Sequence, residues 1–176
     1  MPTNTADEGW PDLPGDTALT IHVPEADALV HTPSRAHITL LYPFLPLERI
    51  TPEADDCLRA LFAATPQLAL TFPEVHRWPG VLFLPPAQAD PLRALTKAIR
   101  TLWPEAVPYR GIFGDEGLDP HLTLASGAGT DDIPETEFTG ALPLHARVES
   151  VRLIVTDGAG TGWRDIRSYP LGRPGY

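Results

Sequence analysis

At 176 residues the chain is long enough for one domain with its own core, and 43% apolar with 20% charged residues is an ordinary globular composition. Acids outnumber bases 23 to 13, a balance that repels the phosphate backbone and excludes the basic surface by which long duplex nucleic acid is gripped. No apolar run approaches the ~20 residues of a membrane span, and one cysteine, Cys57, excludes an internal disulfide and fits a reducing cytoplasm.

The 21 prolines and 14 glycines imply many short elements joined by proline-fixed loops. Met1 to Trp10 lacks the basic region and apolar core of a signal peptide, and residues 1–16 read as a flexible leader to a single domain over 17–176. Ala18 to Val23 alternates and predicts a strand, with His22 as a strand-surface or satisfied core residue. Pro24 ends it, and Glu25 to Val30 suggests a helical turn. Ala36 to Tyr42 predicts a second strand, closed by Pro43 and Pro46. Thr51-Pro52-Glu53 combines a capping residue, a proline at the first helical position and an acid in the first turn. The helix should run to about Ala64, with Cys57, Leu58, Leu61 and Phe62 on its buried side. Gln67 to Phe72 and Val81 to Leu84 read as strands joined around Trp78-Pro79-Gly80. Asp90-Pro91 opens a second helix with Leu92, Leu95, Ile99 and Leu102 at core spacing. Tyr109 to Asp119 is a Gly-rich acidic loop, followed by a strand from His121 to Ala125. Gly127 to Phe138 is polar, with a short helix if Ile133-Pro134-Glu135 is a start. Leu142 to Val148, Ser150 to Val155 and Trp163 to Leu171 complete the strands, with a turn at Gly158-Ala159-Gly160.

Two of these strands share their centre: His37-Ile38-Thr39-Leu40 and His121-Leu122-Thr123-Leu124. Period two puts His37 and Thr39 on one face and Ile38 and Leu40 on the other, and does the same for the second copy. Each strand therefore offers an apolar face to a core and a His/Thr face to a cavity. One H-x-T match is weak evidence, whereas two H-[IL]-T-L matches, one in each half of the chain, form a specific signal.

The pair, together with the flanking Leu41-Tyr42-Pro43-Phe44 and Pro120 and Ala125, resembles the motifs of the two-histidine (2H) phosphoesterases, and within them the 2′-5′ RNA ligase-like proteins. The likeness extends to Trp78-Pro79-Gly80-Val81-Leu82-Phe83-Leu84 and to the tail from Val148 to Leu171. It implies an α+β, bilobal, pseudo-symmetric fold with two antiparallel sheets flanking a central cleft and helices outside. It also implies opening of a 2′,3′-cyclic phosphate to a 2′-phosphate, or the reverse formation of a 2′-5′ linkage.

The residue types suit that chemistry independently. Histidine titrates near neutrality, so a neutral imidazole can deprotonate a nucleophile while a protonated one donates to the leaving oxygen. Threonine hydroxyls two residues on can donate to non-bridging phosphate oxygens. His37 and His121 are the catalytic candidates and Thr39 and Thr123 the phosphate contacts; no metal or other cofactor is required. Arg35, two residues before His37, is a further candidate phosphate contact, with solvation at the strand end as the competing reading. Phe44 is a candidate for stacking a base, as are Tyr42, Phe113 and Trp163, with core packing the default for each. A zinc site using His37 and His121 with Asp115, Glu116 or Asp119 is the main chemical rival, although H-E-x-x-H, C-x-x-C and H-x-H are absent. A Ser/His/Asp hydrolase lacks its G-x-S-x-G. His31, His76 and His145 need only surface or loop roles. The expected partner is a small nucleotide cyclic phosphate or an RNA terminus, met by a monomer; a non-catalytic nucleotide or RNA binding module is the alternative.

Overall fold

A computed structural model of the protein describes residues 12–158 and 162–173. Among these residues, nine strands and three α-helices follow one another as β1 (Thr17–His22), β2 (His37–Leu41), α1 (Pro52–Ala63), β3 (Leu68–Phe72), β4 (His76–Trp78), β5 (Val81–Leu84), α2 (Ala89–Leu102), β6 (Leu122–Ser126), α3 (Thr136–Thr139), β7 (Leu144–Val148), β8 (Ser150–Thr156) and β9 (Trp163–Pro170). Seven strands form one antiparallel sheet in the order β4-β5-β6-β2-β1-β8-β9, and β3 pairs with β7 in a small second sheet. The fold is α+β, as the motifs implied.

β2 and β6, the strands carrying the two motifs, are neighbours at the middle of the large sheet, registered at Ile38 opposite Leu122. On one side lie β5 and β4, on the other β1, β8 and β9. The expected pair of sheets about a cleft thus takes the form of two half-sheets joined at this seam. The alternation expected of both motifs holds: Ile38, Leu40, Leu122 and Leu124 are buried, while His37, Thr39, His121 and Thr123 are half-exposed on the opposite face. α2 packs beside β2, where the Thr96 hydroxyl donates to the Leu40 carbonyl at 3.0 Å.

The Thr51 hydroxyl accepts the Ala54 N–H and caps α1, as its sequence predicts. Cys57, however, is exposed. The buried stripe is Ala54, Asp55, Leu58 and Phe62, and one residue's rotation of about 100° takes Cys57 off it. Leu102 also departs from expectation at 50% exposed. It ends α2, and the next residue, Trp103, takes the packing position there with its ring centroid 5.2 Å from that of Phe44. The leader falls partly outside the described residues, as does the turn around Ala159. From Leu13 to Asp16 the chain is tied to the body: Gly15 N–H donates to Thr156 O, Leu47 N–H to Gly15 O, and buried Asp16 accepts from Arg110.

α1 is locked to β9 by a buried polar contact. The fully buried Tyr169 donates its hydroxyl to Asp55 Oδ1 at 2.7 Å, and Arg167 and Arg59 approach the same carboxylate at 3.1 and 3.0 Å. Burial alone would raise the Asp55 pKa, but the Tyr169 hydroxyl and the two guanidiniums outweigh it and hold the carboxyl below its usual range. A depressed carboxyl stabilises the fold above its unfolded pKa of about 3.9, and that contribution is lost as pH falls through the lower folded value. Tyr169→Phe removes one donor from a buried charge and should cost about 1–3 kcal/mol at neutral pH. Chemical denaturation at pH 7 and at pH 3 checks this, with a smaller loss from the substitution expected at the lower pH.

Candidate functional site

The site is assembled at the β2–β6 seam. Continued by one residue each way, the Ile38–Leu122 register sets His37 across from Thr123 and Thr39 across from His121. The two imidazoles therefore stand on a diagonal, on the order of 7–8 Å apart at the backbone, with a threonine beside each.

Both histidines are anchored alike. His37 Nδ1 lies 2.7 Å from the carbonyl oxygen of Arg35, and His121 Nδ1 lies 2.7 Å from that of Asp119. A carbonyl can only accept, so each Nδ1 carries a proton and each neutral ring presents an unprotonated Nε2. Among the described residues, neither Nε2 nor either threonine hydroxyl has a hydrogen-bond partner. Two proton carriers and two hydroxyl donors are thus available together on one face.

Their surroundings differ. His121 is flanked edge-on by Trp78 and Phe83, with ring centroids at 5.0 and 5.7 Å. Desolvation there lowers the His121 pKa, and the charge of His37 pushes the same way, against the Asp119 carbonyl and carboxylate. His37 instead opens onto a cleft of about 600 Å³ over β2, β1, β8 and β9, lined also by Thr39, Tyr42, Tyr109, Trp163 and Arg152.

Arg35, a candidate phosphate contact with strand-end solvation as the competing reading, lines this cleft and is exposed. Trp163 lines it too, its ring 5.4 Å from Tyr42. Tyr42 is buried and donates its hydroxyl to Asp12, while Phe113 packs edge-on against Tyr109. Phe44 corrects the sequence reading: it lies beyond the end of β2, where the Phe44 N–H donates to Thr17 O at 2.8 Å, and its side chain is buried against Trp103. It belongs to the core. Asp119 is engaged by Arg93 at 2.9 Å, and that guanidinium, with burial opposing it, holds the carboxyl below its usual range.

Three groups escaped the sequence reading. Phe83 was legible as a strand aromatic and Trp78 as part of the connection before it, whereas Trp78 ends β4 and the place of both beside His121 depends on β4–β5–β6 pairing. His22 pairs in register with His37, lines the cleft and bonds Asp27 at 2.9 Å. Tyr109 and Arg110 adopt left-handed backbone angles (φ 50 and 52°), uncommon for non-glycine residues and costing about 1–2 kcal/mol each. The turn is held by Tyr109 N–H to Tyr42 O at 2.6 Å and by an ion pair of Arg110 with Asp16 at 2.6 Å. It brings Tyr109 into the cleft wall, where burial pushes its phenol up to about 12.

If the aromatic wall causes the depressed His121 pKa, opening it must reverse the shift. Trp78→Ala should raise the His121 pKa towards the free value of about 6.5. Imidazole proton shifts followed by NMR across the range from about pH 4 to about pH 9 give the result directly.

The model of the 2′-5′ RNA ligase superfamily matches residues 22–160. No curated protein sequence matches the chain. Among solved structures, TT0787 of Thermus thermophilus is similar with a TM-score of 0.66 at 17% identity, covering 90% of this chain and 98% of that one. E. coli LigT complexed with phosphate gives a TM-score of 0.61 at 17% identity, covering 92% of this chain and 100% of LigT. LigT complexed with 3′-AMP gives 0.59 at 21% identity, covering 91% and 99%. At these identities the structures speak for the fold, and the family match speaks for descent. The chain, with its paired histidine strands at the seam of one antiparallel sheet, belongs to the 2′-5′ RNA ligase superfamily of 2H phosphoesterases.

Proposed function

We propose that the chain opens 2′,3′-cyclic phosphates of small nucleotides or RNA ends to 2′-phosphates by paired histidine catalysis without a metal. The observation that carries this reading is the matched anchoring of His37 and His121, which leaves two Nε2 atoms and two threonine hydroxyls unengaged by the described residues on one face. LigT has been crystallised with 3′-AMP, ATP and NADP+, which supports a nucleotide as the ligand class here.

His121, with its lowered pKa, is mostly neutral at pH 7 and is assigned as the base; His37 is the acid. His121 Nε2 takes a proton from water as the water oxygen bonds to phosphorus. The P–O3′ bond breaks, and the His37 imidazolium gives its proton to O3′. Thr39 and Thr123 donate to the non-bridging oxygens as charge accumulates there. With a ribose 5′-hydroxyl in place of water, the same groups would form a 2′-5′ linkage.

His37→Ala and His121→Ala should each lower turnover by about two to four orders of magnitude, and Thr39→Ala or Thr123→Ala by about ten- to a thousand-fold. Hydrolysis of a 2′,3′-cyclic mononucleotide with chelator present is the assay. Its pH profile should be bell-shaped, with the acid limb set by His121 below the usual histidine value. Full activity in both histidine variants would refute the mechanism, and loss of activity to chelator would favour a metal site.

Charge bears on substrate size. With 23 acids against 13 bases, and Asp115 and Glu116 in the loop before β6 where Asp119 is paired with Arg93, long RNA should be repelled. Arg110, within that loop, does not offset this, because it is paired with Asp16. A twenty-residue RNA with a cyclic end should therefore show no large advantage in kcat/KM over a short substrate. Assays at two salt concentrations test this; an RNA advantage that collapses with salt contradicts it.

A further inference from the structure

The proposed chemistry uses the seam of the sheet and leaves most of the cleft unassigned. That remaining arm lies over β1, β8 and β9, and its lining differs in charge from the rest of the molecule. Arg152 faces it, Arg35 lines the same cleft just before β2, and Asp165 is the one acid among the described residues that line the cleft. Two guanidiniums in a cleft of a protein with a formal charge of −10 make a local anion site within a repelling surface.

Register fixes where Arg152 stands. It pairs across β1–β8 with Thr20, and Thr20 pairs across β1–β2 with Thr39. Cross-strand partners share a face, so Arg152, Thr20, Thr39 and His121 form one row across the sheet. Arg152 lies two strands from Thr39, about 10 Å along that row.

The β8–β9 ladder does not need Arg152 to hold it. Seven residue pairs join those strands. Among the described residues, the one hydrogen bond of the Arg152 side chain is to Asp165 at 3.4 Å, and that carboxylate is 64% exposed. A long ion pair at an open edge contributes little to stability and exchanges readily for a better acceptor. The remaining guanidinium N–H groups form a fork suited to a phosphate.

We propose that Arg152, assisted by Arg35, binds a second phosphate of the substrate, the one attached to O5′ of the ribose that carries the reacting cyclic phosphate. This rests on the reaction proposed above. The second phosphate sits one sugar away from the first, which matches the offset between Arg152 and the histidine–threonine seam. The same chemistry has two sources: the 5′-phosphate of a mononucleotide, or the last phosphodiester of an RNA end. Arg152 is thus a specificity-determining residue that touches substrate away from the reacting atoms.

The test compares kcat/KM for adenosine 2′,3′-cyclic phosphate bearing a 5′-hydroxyl, the same compound bearing a 5′-phosphate, and a dinucleotide ending in the cyclic phosphate. Wild type should favour one or both phosphate-bearing substrates by about ten-fold or more, and the favoured one identifies the source. Arg152→Gln, which keeps a side chain able to bond Asp165 but removes the charge, should abolish that advantage and leave the 5′-hydroxyl substrate within about two-fold of wild type. Equal loss on all three substrates, or no loss, overturns the proposal. A binding measurement separates it from the reaction itself: calorimetry of adenosine 3′-phosphate against adenosine 3′,5′-bisphosphate, with wild type and with Arg152→Gln. A preference for the bisphosphate that disappears in the variant supports the subsite even if no cyclic phosphate is hydrolysed. Equal affinities in wild type refute the subsite even if hydrolysis is fast.

Discussion

The pairing of Ile38 with Leu122 joins the two half-sheets, and the rest of the structure depends on its register. Both side chains are fully buried, so the core demands them on its own face. Period two then leaves His37, Thr39, His121 and Thr123 no choice but the opposite face. A slip of one residue on either strand would bury a histidine and expose an aliphatic side chain, at the combined cost of an unpaired polar group and lost apolar burial. The packing of the core and the assembly of the site are therefore one constraint. That constraint also turns two sequence repeats into four side chains set around a common centre.

Pseudo-symmetry stops at the first layer around the histidines. Each ring is anchored through Nδ1 to the carbonyl two residues before it. Beyond that, β5 and β4 bring Trp78 and Phe83 to His121, whereas β1 and β8 bring Thr20, His22 and Arg152 to the side of His37. An apolar wall disfavours the imidazolium and a polar, cation-lined cleft admits an anion. The same two-strand device can in this way hold one histidine neutral and place the other beside the bulk of a charged ligand.

The cleft wall is kept in shape from a distance. Consecutive left-handed residues, Tyr109 and Arg110, need external restraint, and it comes from Tyr42 through its carbonyl and from Asp16 through its carboxylate. Asp16 is itself fixed between the start of β1 and the end of β8, its carbonyl accepting the Thr156 N–H at 3.0 Å. Residues that the sequence presented as part of a polar leader thus steady the loop that carries Tyr109.

What could be read from the chain alone was local. Alternation in the two motifs dictated their faces, because side-chain direction in a strand depends only on position. Thr51-Pro52 dictated the start of α1, because a cap is satisfied within one turn. The family likeness supplied the fold class. Errors arose where a neighbour in space decided the outcome. Cys57 and Leu102 had the right spacing, but β9 and Trp103 set which edge of each helix was covered. Phe44 followed the motif strand, but it lies beyond the end of β2 and is buried against Trp103. Arg110 carries a free charge on paper and a paired one in the fold. Phe83 and Arg152 could be assigned to strands from their surroundings, but not to the site, and Trp78 read as a connection where the fold has β4. Strand order and register are set by contacts between residues far apart in the chain, and a periodicity read along one strand carries no information about which strand will lie beside it.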